Sequence, residues 1–191
     1  TDSRTLKPGD LFVAIHGTNF DGHDFLPIAA QQGAIAALVQ QRVDSGLPQV
    51  LVSDSLKAMG ELAAAWRQKS DAKVIGITGS NGKTTLKEMC AAILGQQGSV
   101  LATAGNYNND IGMPLTLMRL QDEQYAVIEM GANHAGEIRY LTTICRPDVA
   151  ASRRTGPSRR ILPVSSSRIT NLYSNLVPSP IVCARQAAGA R

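Results

Sequence analysis

The sequence predicts an α/β fold with mainly parallel strands, and three observations lead to this prediction. Short apolar runs alternate along the chain with segments of helical periodicity, which is the pattern of strands covered by helices. A glycine-rich loop, GITGSNGKTT (76–85), lies between one of these apolar runs and a helical segment. The 191 residues are 43% hydrophobic and only 4% aromatic, which indicates a globular chain with an aliphatic core, long enough for one domain or two small ones.

The first part of the chain, residues 1–70, is predicted to alternate strands and helices. The predicted strands are LFVAI (11–15), AIAALVQ (34–40) and QVLVS (49–53), the last two of them buried. Asp24 is expected to cap a helix over FLPIAAQQ, and Gly33 is expected to end it. Asp54 is expected to start an Ala/Leu-rich helix that runs to about Lys69.

The second part, residues 71–150, repeats this style. The predicted elements are a strand at 73–78, a helix at 83–95, a strand around 124–129, a helix over HAGEIRYLTTI and a strand beginning at PDVA. This succession is typical of an α/β nucleotide-binding domain, here incomplete.

Residues 151–191 differ from both parts. They are rich in Ser, Arg and Pro and show no useful helix or strand period, so we expect them to be poorly ordered. They hold seven arginines and no acid, which leaves the first 150 residues at −3 out of a formal net charge of +4. The globular part is therefore mildly acidic, and we exclude nucleic acid as the main partner.

The remaining composition predicts a cytoplasmic protein. Cys90, Cys145 and Cys183 have neither metal-ligand nor disulfide-framework spacing, which fits a reducing compartment. The apolar runs are too short for a membrane span, and we expect a monomer. The chain opens on Thr1 without an initiator methionine, so we expect that upstream residues are missing.

The glycine-rich loop indicates a nucleotide site. Glycines let consecutive backbone N–H groups approach phosphate oxygens, and the following helix adds its positive amino-terminal end. A lysine then neutralises the β- and γ-phosphates, and the next hydroxyl ligates Mg²⁺. The predicted ATP-binding residues are Thr78, Gly79, Ser80, Asn81, Gly82, Lys83, Thr84 and Thr85. Ile77 stands where the usual motif has its first glycine, and the alternative is an ordinary glycine turn with a surface lysine.

The variant TGSNGKTT resembles the ATP loop of the Mur ligase family, which also includes folylpolyglutamate synthetase. TAGNYNNDIGMPLTLMRL (103–120) and YAVIEMGANHAGEI (125–138) resemble the member that adds D-alanyl-D-alanine to UDP-N-acetylmuramoyl-tripeptide. TDSRTLKPGDLFVAIHGTNFDGHDF is similar to the uridine-nucleotide domain of that member. The resemblance implies a UDP-binding α/β domain over 1–70 whose start is missing. It also implies a truncated ATP-binding α/β domain of the P-loop type over 71–150.

The resemblance also implies roles for residues around the ATP loop. Glu129 ends an apolar strand, where a carboxylate can bind Mg²⁺ together with Thr84; the alternative is a strand-end acid in solvent. Asn106 and Asn109, in a cluster with Asn108, are implied in substrate binding, although asparagines favour turns in any case.

His134 is implied as a catalytic residue near the substrate. Its alternative is a place at the start of a helix that Asn133 caps and whose first turn contains Glu137. In the first part, Ser3 and Arg4 are implied to bind the uridine diphosphate, Arg4 by pairing with phosphate. His23 is implied in substrate binding, and the alternative is a surface-loop histidine.

The implied activity is that of an ATP-dependent peptide ligase in peptidoglycan precursor synthesis. The tripeptide carboxylate would attack the γ-phosphate to give an acyl phosphate, which the amine of D-alanyl-D-alanine would then displace. Lys83, Mg²⁺ on Thr84, and Glu129 would neutralise charge between the two anions. No nucleophilic side chain is needed, in agreement with the lack of a Ser/His/Asp or Cys/His constellation.

In the family, the sequence after PDVA continues with a segment that contains Ala-His-Leu-Glu-Gly-Phe, and a third domain follows. Residues 151–191 contain neither. Residues 156–161 can be encoded so that the frame one base later reads Ala-His-Leu-Glu-Gly-Phe, which suggests a frameshift near 150–152. We therefore expect this chain to lack ligase turnover. Two alternatives stay open: a folate-type relative, disfavoured by the 1–70 part, and a nucleotide-binding module without chemistry.

Overall fold

A computed structural model describes residues 3–17, 19–153, 160–164 and 181–185 of the chain. The chain divides into two compact units, Thr1–Leu62 and Ala63–Arg191. Both contain parallel β-sheet and α-helix, so the predicted α/β class is confirmed.

The first unit contains a parallel sheet of three strands in the order β1-β2-β3. Its elements are a 3₁₀ turn Ser3–Thr5, β1 Leu11–Val13, a 3₁₀ turn Gly22–Phe25, α1 Leu26–Gln31, β2 Ala36–Val39 and β3 Gln49–Leu51. The core consists of aliphatic side chains and one phenylalanine, among them Phe12, Leu26 and Val39. All three predicted strands of this part are therefore present.

Two details of the first unit differ from the prediction. Asp21, not Asp24, caps the turn before α1, because its carboxylate accepts the backbone N–H of His23. β3 was expected to be buried, but Val50 and Leu51 are 52% and 55% exposed. β3 pairs only with β2 and is an edge strand of the described sheet, so its side chains have fewer neighbours to cover them. The predicted cap of the next helix is confirmed, since Asp54 accepts the N–H of Lys57 at 2.9 Å.

The second unit contains a six-stranded sheet in the order β5-β6-β4-β7-β9-β8. Its elements follow α2 Ser55–Lys69 and are β4 Lys73–Gly79, α3 Lys83–Leu94, β5 Val100–Ala102, α4 Gly112–Leu117, β6 Tyr125–Glu129, α5 Glu137–Cys145, β7 Val149–Arg153, β8 Arg160–Val164 and β9 Ile181–Arg185. β5, β6, β4 and β7 are mutually parallel, and β9 runs antiparallel to β7. The carboxyl ends of the four parallel strands consequently lie at one edge of the sheet.

The main apolar core of this unit packs aliphatic and sulfur-containing side chains, among them Val74, Met113, Leu117, Ile128 and Leu141, which are at most 1% exposed. At the opposite edge from the strand ends, the Arg67 guanidinium donates to the carbonyl of Cys145, the carbonyl of Ser70 and the carboxylate of Asp148. Asp148 also accepts the N–H of Val74 at the start of β4. These bonds fix α2 and the segment before β7 to the sheet.

The expectation that residues 151–191 lack order is wrong for three segments, of which the first is the end of β7 at residues 151–153. Arg160–Val164 and Ile181–Arg185 form strands β8 and β9, which pair with each other in parallel and extend the sheet beyond β7. Both segments contain a short apolar run, ILPV and IVCA, that is too short to show periodicity. Pro163 is tolerated because β8 lies at the edge of the described sheet.

Each helix in the described part of the chain is too short or too polar to span a bilayer.

Candidate functional site

Three chain segments meet at the carboxyl edge of the second sheet. β4 ends at Gly79 and is followed by the glycine-rich loop, and Ile77 in β4 pairs with Glu129 at the end of β6. β6 pairs with β4 on one side and with β5 on the other. The segment that begins at Thr103, after β5, therefore leaves the sheet at the same edge. Ligands of open α/β sheets bind at this edge, which makes it the candidate site.

The loop between β4 and α3 has a backbone that glycine allows. Gly79 and Gly82 have φ values of 138° and 72°, a region that L side chains rarely adopt. Gly82 is the residue just before α3, and within the described part of the chain no side chain caps this helix. The first backbone N–H groups of α3 therefore point into the loop, where an anion can accept them.

Lys83 lies across this loop. Its ammonium group donates a hydrogen bond to the carbonyl of Gly79 at 2.9 Å, and the side chain is half-buried. The side chain thus folds back over the turn, and its role in binding phosphate stays a prediction. Ser80 and Asn81, at the tip of the loop, are exposed, and Thr78 is half-buried at the end of β4.

Glu129 is buried at the end of β6, with 2% of its surface exposed. Thr84 donates its hydroxyl proton to Oε2 at 3.1 Å, and Asn108 donates an amide proton to Oε1 at 2.9 Å. The backbone N–H of Glu129 donates to the hydroxyl of Thr103 at 2.9 Å. The alternative of a strand-end acid in solvent is therefore wrong, and the carboxylate has a fixed place beside the loop.

The Thr84 hydroxyl and the Glu129 carboxylate fit a magnesium ion shared with phosphates. Both are hard oxygen donors, and the Thr84 hydroxyl at the start of α3 lies 3.1 Å from Oε2 of Glu129 at the end of β6. Among the described residues, no group of three or more His, Cys, Asp or Glu side chains is placed to hold a metal. Mg²⁺ commonly takes one or two protein oxygens and completes its shell with phosphates and waters, so the donor set suits it.

The asparagine-rich segment lies next to Glu129. Asn109 accepts the backbone N–H of Gly112 at 2.8 Å and so caps α4, while Asn106 is exposed. The structure therefore brings Asn108 to the carboxylate, whereas Asn109 supports the helix that follows. Their predicted contact with substrate stays a prediction.

His134 lies in an exposed turn, with 83% of its side chain accessible, and its Nδ1 is 2.8 Å from the Glu137 carboxylate. α5 begins at Glu137, three residues later than predicted, because Gly136 takes the position before the helix. The suggested cap by Asn133 also differs, since its backbone N–H donates to Glu137 at 2.6 Å. This bond is the largest cause, ahead of the His134 ring, of the lowered pKa of Glu137. The catalytic role of His134 stays a prediction.

In the first unit, His23 is 3% exposed, so the alternative of a surface-loop histidine is wrong. Its Nε2 accepts the backbone N–H of Gln40 at 2.9 Å, which places the proton on Nδ1, where it bonds Asp21 at 2.5 Å. Both ring nitrogens thus serve the fold, and this geometry does not support a direct substrate contact. The His23 backbone and ring N–H groups lower the pKa of Asp21 to about 2. Ser3 and Arg4 form part of the first 3₁₀ turn, with Arg4 exposed.

Two polar residues of the site were not predicted. Lys87 is 2% exposed and donates to the carbonyl of Thr103 at 2.6 Å, which anchors the start of the asparagine-rich segment to α3. Thr103 in turn holds the backbone of Glu129. Lys87 lies one turn after Lys83 on the same face of the helix, and that spacing is the signal that could have indicated its inward direction.

Two family models match this chain. The Mur ligase middle domain matches residues 77–155, and the catalytic domain of the Mur ligase family matches residues 1–67. The chain is 56% identical over 151 residues to the UDP-N-acetylmuramoyl-tripeptide–D-alanyl-D-alanine ligase of Escherichia coli K12, covering 78% of this chain and 33% of that protein. The Haemophilus influenzae Rd ligase of the same name is 46% identical over 164 residues, covering 83% of this chain and 36% of that protein.

Solved structures agree with these relatives. MurF from Acinetobacter baumannii superposes with a TM-score of 0.76 at 45% identity, covering 80% of this chain and 34% of that one. MurF ligase from Thermotoga maritima, solved in complex with ADP, gives 0.75 at 37% identity, covering 81% of this chain and 36% of that one. The chain spans about a third of the length of the relatives it matches. With its two domain matches in order along the sequence and its similarity to these ligases, the chain belongs to the Mur ligase family.

Proposed function

We propose that this chain is the UDP-substrate-binding and ATP-binding part of an ATP-dependent ligase that joins D-alanyl-D-alanine to UDP-N-acetylmuramoyl-tripeptide. The observation that carries the proposal is the Thr84–Glu129 pair beside the Gly79–Gly82 loop, since these groups match the needs of a magnesium-bound triphosphate. The similarity to named D-alanyl-D-alanine ligases supports the choice of substrates. Residues 1–70 would bind the uridine nucleotide, and residues 71–150 would bind ATP.

The residues of the second unit have distinct tasks in this proposal. The amides of the loop and of the first turn of α3 bind phosphate oxygens, and Lys83 brings a positive charge to the same place. Thr84 and Glu129 hold Mg²⁺ through their oxygens. When bound, Mg²⁺–ATP supplies the phosphoryl group that activates the tripeptide carboxylate as an acyl phosphate. Lys83, together with Mg²⁺ on Thr84 and Glu129, lowers the repulsion between the tripeptide carboxylate and the triphosphate. This repulsion is the main electrostatic barrier to the approach of the two anions.

Calorimetric titration of the chain tests the proposal. We expect saturable binding of Mg²⁺–ATP and, in a separate titration, of UDP-N-acetylmuramoyl-tripeptide. A folate substrate is the control for the folate-type alternative, and we expect it not to bind. Absence of Mg²⁺–ATP binding, or preference for the folate, would overturn the proposal.

A phosphate-release assay with both peptide substrates distinguishes a ligase from a binding module. Because of the sequence of residues 151–191, we expect this chain to bind Mg²⁺–ATP without releasing phosphate. Turnover would contradict the expected inactivity but would support the ligase proposal.

A further inference from the structure

Asn108 stands directly against the carboxylate that the proposed function assigns to Mg²⁺. Its amide donates to Oε1 of Glu129 at 2.9 Å, while Thr84 donates to Oε2 at 3.1 Å. Each carboxylate oxygen therefore has a different partner, and together the two bonds fix the rotation of the group. We propose that Asn108 is a positioning residue that turns Glu129 so that Oε2 faces Thr84 and the bound cation. This inference rests on the proposed function.

The side chain of Asn108 is itself held in place. Its backbone carbonyl accepts the N–H of Gly131 at 2.7 Å, and its backbone N–H donates to the carbonyl of Asn106 at 2.7 Å. A Cβ atom on Gly131 would lie 2.9 Å from Oδ1 and 3.2 Å from Nδ2 of Asn108, so glycine lets the amide pack closely there. The segment before α4 and the segment after β6 thus close around this one amide.

The chemistry of an amide suits this position. The orientation with Nδ2 towards Glu129 gives attraction, whereas the flipped amide would set Oδ1 against a carboxylate oxygen. A lysine or arginine in this place would neutralise the carboxylate and compete with the cation, and an acid would repel it. Asparagine donates a hydrogen bond and leaves the full negative charge of Glu129 for the metal.

A positioning role differs measurably from a merely structural one. Groups that orient a metal ligand typically change metal affinity by about 10- to 100-fold when they are removed. Loss of the Asn108 amide should therefore reduce the effect of Mg²⁺ on nucleotide binding. The affinity for ADP without metal depends on the loop amides and Lys83 and should stay unchanged, because the side chain of Asn108 bonds Glu129 and that of Lys83 bonds Gly79.

The experiment measures ADP binding to the chain by calorimetry, once in excess Mg²⁺ and once in EDTA. The variants are Asn108→Ala and Asn108→Ser, the second with a hydroxyl too short to reach the carboxylate, in case alanine prevents folding. Gln97→Ala is the control, since it removes an exposed side-chain amide beyond the other end of α3. We expect the gain in ADP affinity from Mg²⁺ to fall about 10- to 100-fold in the Asn108 variants only.

The outcomes separate the two proposals. If the unchanged chain does not bind Mg²⁺–ADP, the proposed function fails and this inference fails with it. If it binds and the Asn108 variants keep the full effect of Mg²⁺, only the positioning role is overturned. Equal weakening in Mg²⁺ and in EDTA would also overturn it, because that result indicates general support of the loop.

Discussion

Replacing Lys83 with alanine should weaken nucleotide binding without unfolding the chain. The ammonium group lies 2.9 Å from the Gly79 carbonyl, directly over the loop that is proposed to hold the phosphates. A hydrogen bond that involves a charged group contributes about 1.5–3 kcal/mol net. Since about 1.4 kcal/mol corresponds to a factor of ten, Lys83→Ala should weaken Mg²⁺–ADP binding roughly 10- to 100-fold.

The effect of Lys83→Ala on stability should be small. The variant loses one hydrogen bond from a charged group, and the contribution of about 1.5–3 kcal/mol that such a bond makes is reduced by the partial exposure of Lys83 to solvent. Urea unfolding followed by circular dichroism therefore checks that a loss of affinity is not a loss of fold.

Lys57→Ala is the matched control for charge. Lys57 is 67% exposed on α2 and its ammonium group lies 3.9 Å from the carboxylate of Glu61, so its removal changes the net charge equally at a residue outside the loop. We expect its ADP affinity to equal that of the unchanged chain. If Lys83→Ala also binds Mg²⁺–ADP as tightly as Lys57→Ala, the assignment of the loop as a phosphate site is refuted.

Three further predictions concern the fold and the reading frame. Arg67→Ala should lower the free energy of unfolding by about 3–5 kcal/mol in urea titrations, because it leaves Asp148 without its buried partner; an unchanged midpoint would contradict this. The folded pKa of Asp21 is about 2, below its ordinary value of 3.8, so its stabilising effect is present above pH 4 and is lost as the pH falls towards 2. Thermal unfolding should accordingly show a stability difference between wild type and Asp21→Asn that shrinks over this range, and a constant difference would exclude the His23 interaction as its cause. DNA sequencing across codons 145–165 should show that the frame one base later encodes Ala-His-Leu-Glu-Gly-Phe. Any other encoded sequence there would reject the frameshift.

Elements defined by local patterns could be predicted from the sequence. β4, the glycine-rich loop and α3 follow one another in a strand–loop–helix order, and each carries its own signal. Glu129 could be placed at the strand end because β6 reads as an apolar run that ends in one acid. Parallel pairing with β4 then brings this acid to the loop, as the register shows.

Elements that depend on tertiary packing could not be predicted. β5 has only three residues, and α4 begins with Gly112 and contains Pro114, so neither has a clear period. α4 forms because Met113 and Leu117 are fully buried in the core and Asn109 caps its start. Hydrogen-bond partners that are distant in sequence could not be predicted either. The burial of His23, for example, depends on the backbone N–H of Gln40, which is 17 positions away.

The side-chain hydrogen bonds described for the nucleotide site all join residues between Gly79 and Gly131. Lys83 bonds within the loop, Thr84 and Asn108 bond Glu129, and Lys87 and Thr103 connect α3 with β6. None of these bonds involves residues 151–191, although strand pairing sets Ala151 and Arg153 beside Ile77 and Gly79 of β4. If the reading frame changes near 150–152, the residues that are proposed to bind Mg²⁺–ATP keep their identity, because all of them precede that point in the chain. Nucleotide binding and ligation should consequently be separable in this chain, with binding retained when turnover is lost.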